Sequence, residues 1–327
     1  FDVKTFAANN GSQSISLGFS PDLVWTKSRT HSVEGQIFDK VRGNNQEMSP
    51  NDPRIERTLA NSLTLDSSGF TMPSNNNNAN WTSGSGGGVG WAWDAGTSTV
   101  TNTDGSLSAQ VRAAPSAGFS IVKFTGNATD DATVGHGLNA TPQFVIQKGL
   151  TVANYWAVYH AGYTHPHTRL DLTDQAETSS NYWKSFSSTL MTLPGSGSTL
   201  NNVNNSADYI AYCWAPVEGF SKFGSYTGST NGTFVFTNFK TRWLLIKAVS
   251  QSGSWVMYDT ARDPDNSGEN WLYANSNSNE QPAATYEVYT TSNGFRTAGS
   301  SAENNGNGVT YIYAAFAEHP FKTARAR

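Results

Sequence analysis

The chain has 327 residues, a formal net charge of −4 at pH 7 and a charged fraction of only 14%, which excludes the basic stripe of a nucleic-acid-binding protein. Its length exceeds what one hydrophobic core usually serves, so two or three domains are expected. One cysteine excludes an internal disulfide framework, and no apolar run is long enough for a membrane-spanning helix.

Three motifs recur in the same order along the chain. The first is a polar lead, a short apolar run and a lysine: SPDLVWTK at 20–27, TPQFVIQK at 141–148 and TRWLLIKA at 241–248. Its lysines are Lys27, Lys148 and Lys247. The second motif follows, with Asp39, His160 and Asp259 each directly after an aromatic residue. The spacing between copies is 121 and then 99 residues in both motifs, which indicates an internal repeat.

The third motif is an aromatic strand: VGWAWDAG at 89–96, YIAYCWAPVEGF at 209–220 and YIYAAFAEHPF at 311–321. When Trp93, Trp214 and Phe316 are aligned, alternate residues of the three copies share one apolar face. Two positions before these residues, the first two copies have an aromatic residue, whereas the third has Ala314. Cys213 occupies a position where the other copies have alanine, so we interpret it as a small core residue and not as a nucleophile. The motif predicts a core strand used three times.

These repeats predict an all-β protein of three tandem β-sandwich or jelly-roll-like repeats of about 100 residues, because turn residues are abundant and no stretch has a helical period. A unit of this size can bury its own core, which favours independently folded domains joined one after another, like beads in series. Residues 97–117 resemble a hairpin arm with the turn TDGS. The predicted boundaries are 1–96 (unit 1), 97–117 (the arm), 118–220 (unit 2), 221–321 (unit 3) and a tail at 322–327.

The order of motifs, with GFSPDLVW at 18–25, STVTNTDGS at 98–106 and AFAEHPF at 315–321, resembles a repeat domain of marine bacteriophage virion proteins. Phages that infect cyanobacteria and other abundant ocean bacteria carry this domain most often, in proteins usually labelled tail fibre or structural protein. The resemblance covers almost the whole chain and implies a β-rich component of the virion. It brings no catalytic residue with it, and unit 2 departs from the pattern by lacking GFT and by a histidine-rich insert.

The resulting expectation is a non-enzymatic virion protein, such as a tail fibre, spike or capsid-surface appendage, that attaches to the host surface. Two alternatives stay open: a purely structural spacer or decoration protein without its own receptor, and a tailspike that depolymerises a glycan. The expected partners are other virion proteins, a host cell-surface glycan or protein, and further copies of the chain, with a trimer favoured. We expect no cofactor, nucleic acid or membrane insertion.

Aromatic residues in Asn-rich loops are the first candidates for ligand contact, because sugar rings stack on exposed aromatic faces. We predict this role for Trp81, Tyr182, Trp183 and Trp271. The alternative is that each side chain folds over the edge of its own sandwich.

The histidine-rich insert HAGYTHPH at 160–167 offers a His-x-His pair, His165 and His167. Around a threefold axis three such pairs would supply six nitrogen ligands to one metal ion, whereas the alternative is a solvated loop. DPDNSGEN at 263–270 begins like a calcium loop but has Ala274 where the bidentate glutamate belongs, which favours a turn.

Glycan hydrolysis would need two carboxylates across a sugar. The available ones are Asp39, Asp94, Glu218, Asp259 and Glu318. Most recur at equivalent places in the repeats, and recurrence of this kind favours a structural role.

Overall fold

The computed structural model describes residues 1–9, 11–74, 86–178, 182–195, 203–282, 286–299 and 301–318. These residues form twenty-eight β-strands and one 3₁₀ turn, Pro115–Ala117, and the named strands pair antiparallel throughout. The all-β prediction is therefore confirmed. Within the described ranges, no helix has the length and apolar character needed to cross a membrane.

Unit 1 contributes a large sheet in the order β1, β9, β3, β4, a small sheet in the order β2, β8, β7, and the pair β5 and β6. Its strands are β1 (Asp2–Ala7), β2 (Gln13–Ser16), β3 (Leu23–Ser28), β4 (Gln36–Asp39), β5 (Gln46–Glu47), β6 (Arg57–Thr58), β7 (Thr64–Leu65), β8 (Gly69–Met72) and β9 (Gly87–Trp93).

The arm and unit 2 share one large sheet in the order β10, β11, β12, β19, β14, β15, β16, and unit 2 adds a small sheet in the order β13, β18, β17. The strands are β10 (Thr99–Asn102), β11 (Ala109–Ala114), β12 (Phe119–Thr125), β13 (Thr133–Gly135), β14 (Phe144–Gly149), β15 (Ala157–His160), β16 (His167–Arg169), β17 (Ser185–Phe186), β18 (Leu190–Thr192) and β19 (Asp208–Trp214).

Unit 3 has a large sheet in the order β20, β28, β22, β23, β24, β25 and a small sheet in the order β21, β27, β26. Its strands are β20 (Ser221–Thr227), β21 (Thr233–Phe236), β22 (Thr241–Ala248), β23 (Trp255–Asp259), β24 (Asn270–Tyr273), β25 (Gln281–Pro282), β26 (Val288–Thr291), β27 (Gly294–Thr297) and β28 (Thr310–Ala317).

The arm is a β-hairpin that joins units 1 and 2. β10 pairs with β11, and β11 continues the ladder onto β12, with Ala109 opposite Phe124. Arg112 of the arm forms an ion pair with the buried Asp22 of unit 1, at 2.8 Å. At the other end of the hairpin, the Leu107 N–H donates to the Thr133 carbonyl of unit 2 at 2.9 Å. The arm thus covers the edge of β12 that would otherwise be open.

Each long central strand buries both of its faces, which explains its nearly continuous apolar sequence. In β22, Trp243 and Leu245 belong to one hydrophobic core, whereas Leu244 and Ile246 belong to another. The period of two in a strand separates the residues in this way. β3 and β14 divide their residues between two cores in the same manner.

The described residues contain four hydrophobic cores. Three are local, and each lies between the large and the small sheet of one unit. The fourth is central and is built from the second face of all three large sheets. The prediction of beads in series is therefore wrong, because the three units share a core and unit 3 contacts unit 1.

Trp93 lies in the middle of this central core. Its ring centroid is 6.0 Å from that of Trp214, 5.6 Å from that of Trp243 and 5.8 Å from that of Phe316. The aligned aromatic residue of unit 1 therefore contacts the aligned aromatic residues of units 2 and 3. Their repetition is explained by this shared core, whose edge-to-face pairs add to the stabilisation from apolar burial.

Candidate functional site

The three motif lysines are buried between units. Each ammonium group donates a hydrogen bond to a main-chain carbonyl of a neighbouring unit: Lys27 to Ser276 at 2.6 Å, Lys148 to Pro53 at 3.0 Å and Lys247 to Thr173 at 3.4 Å. Burial lowers the pKa of all three lysines to about 8. Each buried ammonium group therefore has a carbonyl partner in a neighbouring unit, as a buried polar group requires.

These contacts run in one direction around the molecule. Unit 1 donates to unit 3, unit 2 to unit 1, and unit 3 to unit 2. Main-chain hydrogen bonds join the same pairs of units, with the donor on the opposite side from the lysine. Each acceptor is the carbonyl two residues after a lysine: the Glu56 N–H donates to Leu150 at 3.1 Å, the Ala176 N–H to Val249 at 3.0 Å and the Glu280 N–H to Arg29 at 2.8 Å. The three interfaces are head to tail, and the third closes the ring.

The acids of the second motif lie in two of these interfaces. Asp39 forms a buried ion pair with Arg42, which also contacts Glu56, and it accepts a hydrogen bond from the Tyr212 hydroxyl of unit 2 at 2.7 Å. Burial raises the pKa of the Tyr212 hydroxyl well above its usual value; the positive charge of Arg42 opposes this rise and the negative charge of Asp39 adds to it.

The same arrangement occurs at the interface of units 3 and 1. Asp259 forms a buried ion pair with Arg262, which also contacts Glu280 at 3.0 Å. The Trp91 indole N–H of unit 1 donates to Asp259 at 3.0 Å. Two interfaces therefore hold an Asp-Arg-Glu triad capped by an aromatic donor from the adjacent unit.

Unit 2 replaces the whole triad with neutral groups. His160, Tyr163 and Ala176 stand where the other units have aspartate, arginine and glutamate. His160 Nε2 lies 3.0 Å from the Tyr313 carbonyl of unit 3, and its Nδ1 accepts from the Gly162 N–H. These bonds require a neutral imidazole, consistent with burial that lowers its pKa to about 4.

The exception at Ala314 is explained by the same interface. Alanine has no donor, so the neighbouring Tyr313 carbonyl is the group that His160 meets. The space that an aromatic side chain would fill is taken by Phe223, which pairs with Ala314 across β20 and β28 and lies 5.7 Å from Phe144. His160 and Ala314 are therefore a matched pair of departures from the repeat.

Unit 1 also departs from the repeat at two neighbouring positions, Gly35 and Trp25. Trp156 and Trp255 donate their indole N–H groups across the interfaces, to the Ser49 and Arg169 carbonyls at 2.8 Å each. The equivalent position in unit 1 is Gly35, and a Cβ there would lie 3.2 Å from the Trp25 indole nitrogen. Trp25 therefore occupies the volume from the neighbouring strand.

Most of the carboxylates considered for hydrolysis have structural partners. Asp39 and Asp259 form the buried triads, Asp94 accepts the Gly96 N–H at 2.7 Å, and Glu318 pairs with Lys240 at 2.6 Å. Glu218 is exposed. Four of the five carboxylates are thus used in holding turns and interfaces.

The two histidines of the His-x-His pair lie in different environments. His165 is exposed and lies near Tyr163, whereas His167 is buried against Tyr182 with ring centroids 4.9 Å apart. Burial lowers the pKa of His167 to about 4. Among the described residues no group of three or more His, Cys, Asp or Glu side chains could hold a metal ion. A buried His167 cannot reach a site shared with other chains, which contradicts the predicted geometry.

The aromatic candidates are interior residues. Tyr182 and Trp183 belong to the core of unit 2, and Trp271 belongs to the core of unit 3, where it stacks on Tyr286 at 3.8 Å. With at most 3% of each side chain exposed, none presents a face to a sugar. The prediction of exposed platforms is wrong for these three because each folds over its own sandwich. Trp81 lies outside the described residues.

Two smaller predictions agree with the structure. Cys213 is fully buried, and burial raises the pKa of its thiol to about 12, as expected for a core residue. The Asp263 carboxylate accepts the N–H groups of Ser267 and Gly268 at 3.1 and 2.8 Å, which is a turn.

Sequence reasoning missed one exposed pair, Phe234 and Phe236 of β21. Comparison of the repeated units identifies this pair, because unit 1 has serines at the positions where unit 3 has the two phenylalanines. The strand pairing aligns β21 with β2, where Ser14 and Ser16 hold the equivalent outward positions.

A family model described as "Domain of unknown function (DUF7483)" matches residues 1–320. No curated protein shows a significant match, and neither does any solved structure.

Proposed function

We propose that this chain, which belongs to the DUF7483 family of unknown function, is a non-enzymatic structural protein of a virus particle: a tail fibre, spike or capsid-surface appendage with a role in host attachment. The observation that carries the proposal is that the most repeated chemical groups, the lysines and the second-motif residues, are used in contacts between units. The motif resemblance to phage virion proteins supplies the location.

In this proposal, the single chain forms a ring of three copies of one β-sandwich module. The shared strand order of the three large sheets and the cyclic hydrogen bonds support it. A ring of this kind supplies within one chain the closure that a trimer supplies with three, and it buries an aromatic core without disulfides.

A rigid frame suits attachment because binding residues on loops and outer faces need a scaffold that does not move. The outer faces of the three small sheets differ in sequence while their strand pairing is alike. This difference favours attachment over a purely structural spacer. The spacer is the second candidate, because so many polar side chains form contacts between units.

The test has two arms. In the first, gold-labelled antibodies against the chain are applied to particles from a lysate that contains it, and label on the particles is expected. In the second, fluorescently labelled chain is incubated with marine bacterial cells, and saturable binding that excess unlabelled chain displaces is expected. A β-sandwich protein of similar size and charge is the control.

Particles without label, in a lysate where the chain is detected only as free protein, would overturn the virion assignment. Label on the particles without binding to cells of the phage's own host would support the spacer or decoration role instead. Release of reducing sugar from host envelope glycan would contradict the non-enzymatic assignment.

A further inference from the structure

The outer face of the small sheet of unit 3 carries an exposed aromatic cluster. Phe234 and Phe236 on β21 are 52% and 50% exposed. Arg296 lies opposite Phe234, and Tyr289 lies opposite Arg296, so one row crosses all three strands. We call these four residues the Phe face.

The equivalent face of unit 1 shows that the fold does not need these rings. There the outward positions are Ser14 and Ser16, with Thr71 opposite Ser14 and Thr64 opposite Thr71. The same strands pair in the same order without an exposed apolar side chain. Two phenylalanines half open to water lose the stabilisation that burial would give, so their presence indicates contact with a ligand.

The cations beside the rings indicate the charge of that ligand. Lys222 lies over the Phe236 ring at 5.4 Å and donates to the Phe236 carbonyl, and Arg296 is the cross-strand neighbour of Phe234. Of the eighteen Lys and Arg residues in the described ranges, twelve form ion pairs and three are the buried motif lysines. Two of the remaining three are Lys222 and Arg296.

The acids around the face lie on its far side. Glu287 and Glu269 lie close enough to Tyr289, at the β26 end of the row, to raise the pKa of its hydroxyl. The β21 end therefore combines exposed rings with two cations that have no carboxylate partner among the described residues.

We propose that the Phe face binds an acidic polysaccharide, a sugar chain that carries carboxylate or sulfate groups. The two rings project from alternate residues of one strand, about 6.6 Å apart, so successive sugars can stack on them. Arg296 and Lys222 pair with the acidic groups, and Arg296 has the planar geometry for a bidentate contact. This inference rests on the proposed attachment function and names its ligand class.

The experiment is affinity electrophoresis of the full chain in gels that contain polyuronate, with dextran as the neutral polymer. The wild-type chain is expected to be retarded by polyuronate and not by dextran, and added salt is expected to weaken the retardation because it screens ion pairs. The double variant Phe234→Ser/Phe236→Ser, which copies unit 1, is expected to bind about tenfold more weakly, and Arg296→Gln is expected to behave alike.

Val100→Ser is the matched control, because Val100 is another exposed apolar residue, on the arm, at 54%. This variant is expected to bind like the wild type. The double variant is expected to keep the wild-type unfolding midpoint, since serine occupies these positions in unit 1. Unchanged binding by the folded double variant, equal retardation in dextran, or equally tight binding of oligo(dT) would overturn the inference.

The cell-binding arm separates this inference from the proposed function. If wild type and double variant bind cells equally, the Phe face is not the ligand site although the attachment role stands. If polyuronate binding depends on the Phe face but no variant binds host cells, the site stands and the attachment role fails.

Discussion

His160 shows how one residue type decides the character of an interface. Its ring replaces an aspartate, and the arginine and glutamate that would pair with an aspartate are replaced by Tyr163 and Ala176. The replacements agree chemically: a neutral ring needs neutral neighbours. Their agreement across sixteen residues is what a shared buried site requires.

Introducing an aspartate here tests that account. His160→Asp would place a carboxylate where the described structure offers no cation, and we expect a loss of about 3–5 kcal/mol in the free energy of unfolding. The triple variant with Tyr163→Arg and Ala176→Glu rebuilds the triad and is expected to recover much of that loss. Urea unfolding measures both. A single variant as stable as the wild type would contradict the buried neutral site.

The buried histidines also set the response to acid. Burial lowers the pKa of His160 and of His167 from 6.5 to about 4. Between pH 4 and pH 6.5 the unfolded chain binds more protons than the folded chain. The free energy of unfolding is therefore unaffected by these histidines above pH 6.5 and decreases as the pH falls towards 4. Burial of Asp171 raises its pKa from 3.8 to about 6, which acts in the opposite direction in part of that range.

His160→Gln isolates the histidine contribution, because glutamine can still donate to the Tyr313 carbonyl. We expect unfolding midpoints from pH 4 to pH 7 to change less steeply in this variant than in the wild type. Asp171 is present in both chains and cancels in the comparison. Parallel curves would show that His160 is not neutral and buried in the folded state.

At the scale of elements, the arm depends on a close approach of two backbones. A Cβ on Gly105 would lie 2.3 Å from the Thr133 carbonyl oxygen, so the hairpin tip fits against β13 only with glycine. We expect Gly105→Ala to displace the tip and speed hydrogen exchange at the Leu107 N–H, which donates to Thr133. Gly87→Ala is the control, since its Cβ would lie 3.5 Å from the nearest atom. Equal protection in both variants would contradict this contact.

The strands themselves could be predicted from sequence because period-two alternation and turn residues mark them. The hairpin at TDGS and the burial of Cys213 followed from the same pattern. The burial of Trp183 and Trp271 did not, because their polar neighbours in sequence are not their neighbours in space. Ring closure could not be predicted either, since the lysines bond to carbonyls of Pro53, Thr173 and Ser276, which no side-chain pattern marks.

At the scale of the whole molecule, the shared core predicts cooperative unfolding. Trp93 contacts aromatic residues of all three units, so Trp93→Ala is expected to lower the free energy of unfolding by about 3–5 kcal/mol and to shift the whole molecule together. Far-ultraviolet circular dichroism and tryptophan fluorescence should report one coincident transition. Two separate transitions would indicate that the units fold independently.

Closure within one chain also bears on assembly. The sequence predicts a trimer, which stays a prediction. Because the three head-to-tail interfaces are satisfied within one chain, we expect light scattering to give the mass of a single chain at micromolar concentration. A mass of three chains that resists dilution would contradict this expectation and support the trimer that the sequence predicts.

A symmetric assembly of identical chains must repeat every substitution at each of its positions. The chain described here has no such constraint, because each third of the ring is encoded separately. This is why a histidine can replace an acid at one interface only, and why phenylalanine can stand on one outer face while serine stands on another. The proposed ring can therefore carry a different side chain at each of three equivalent positions, which a homotrimer could not do.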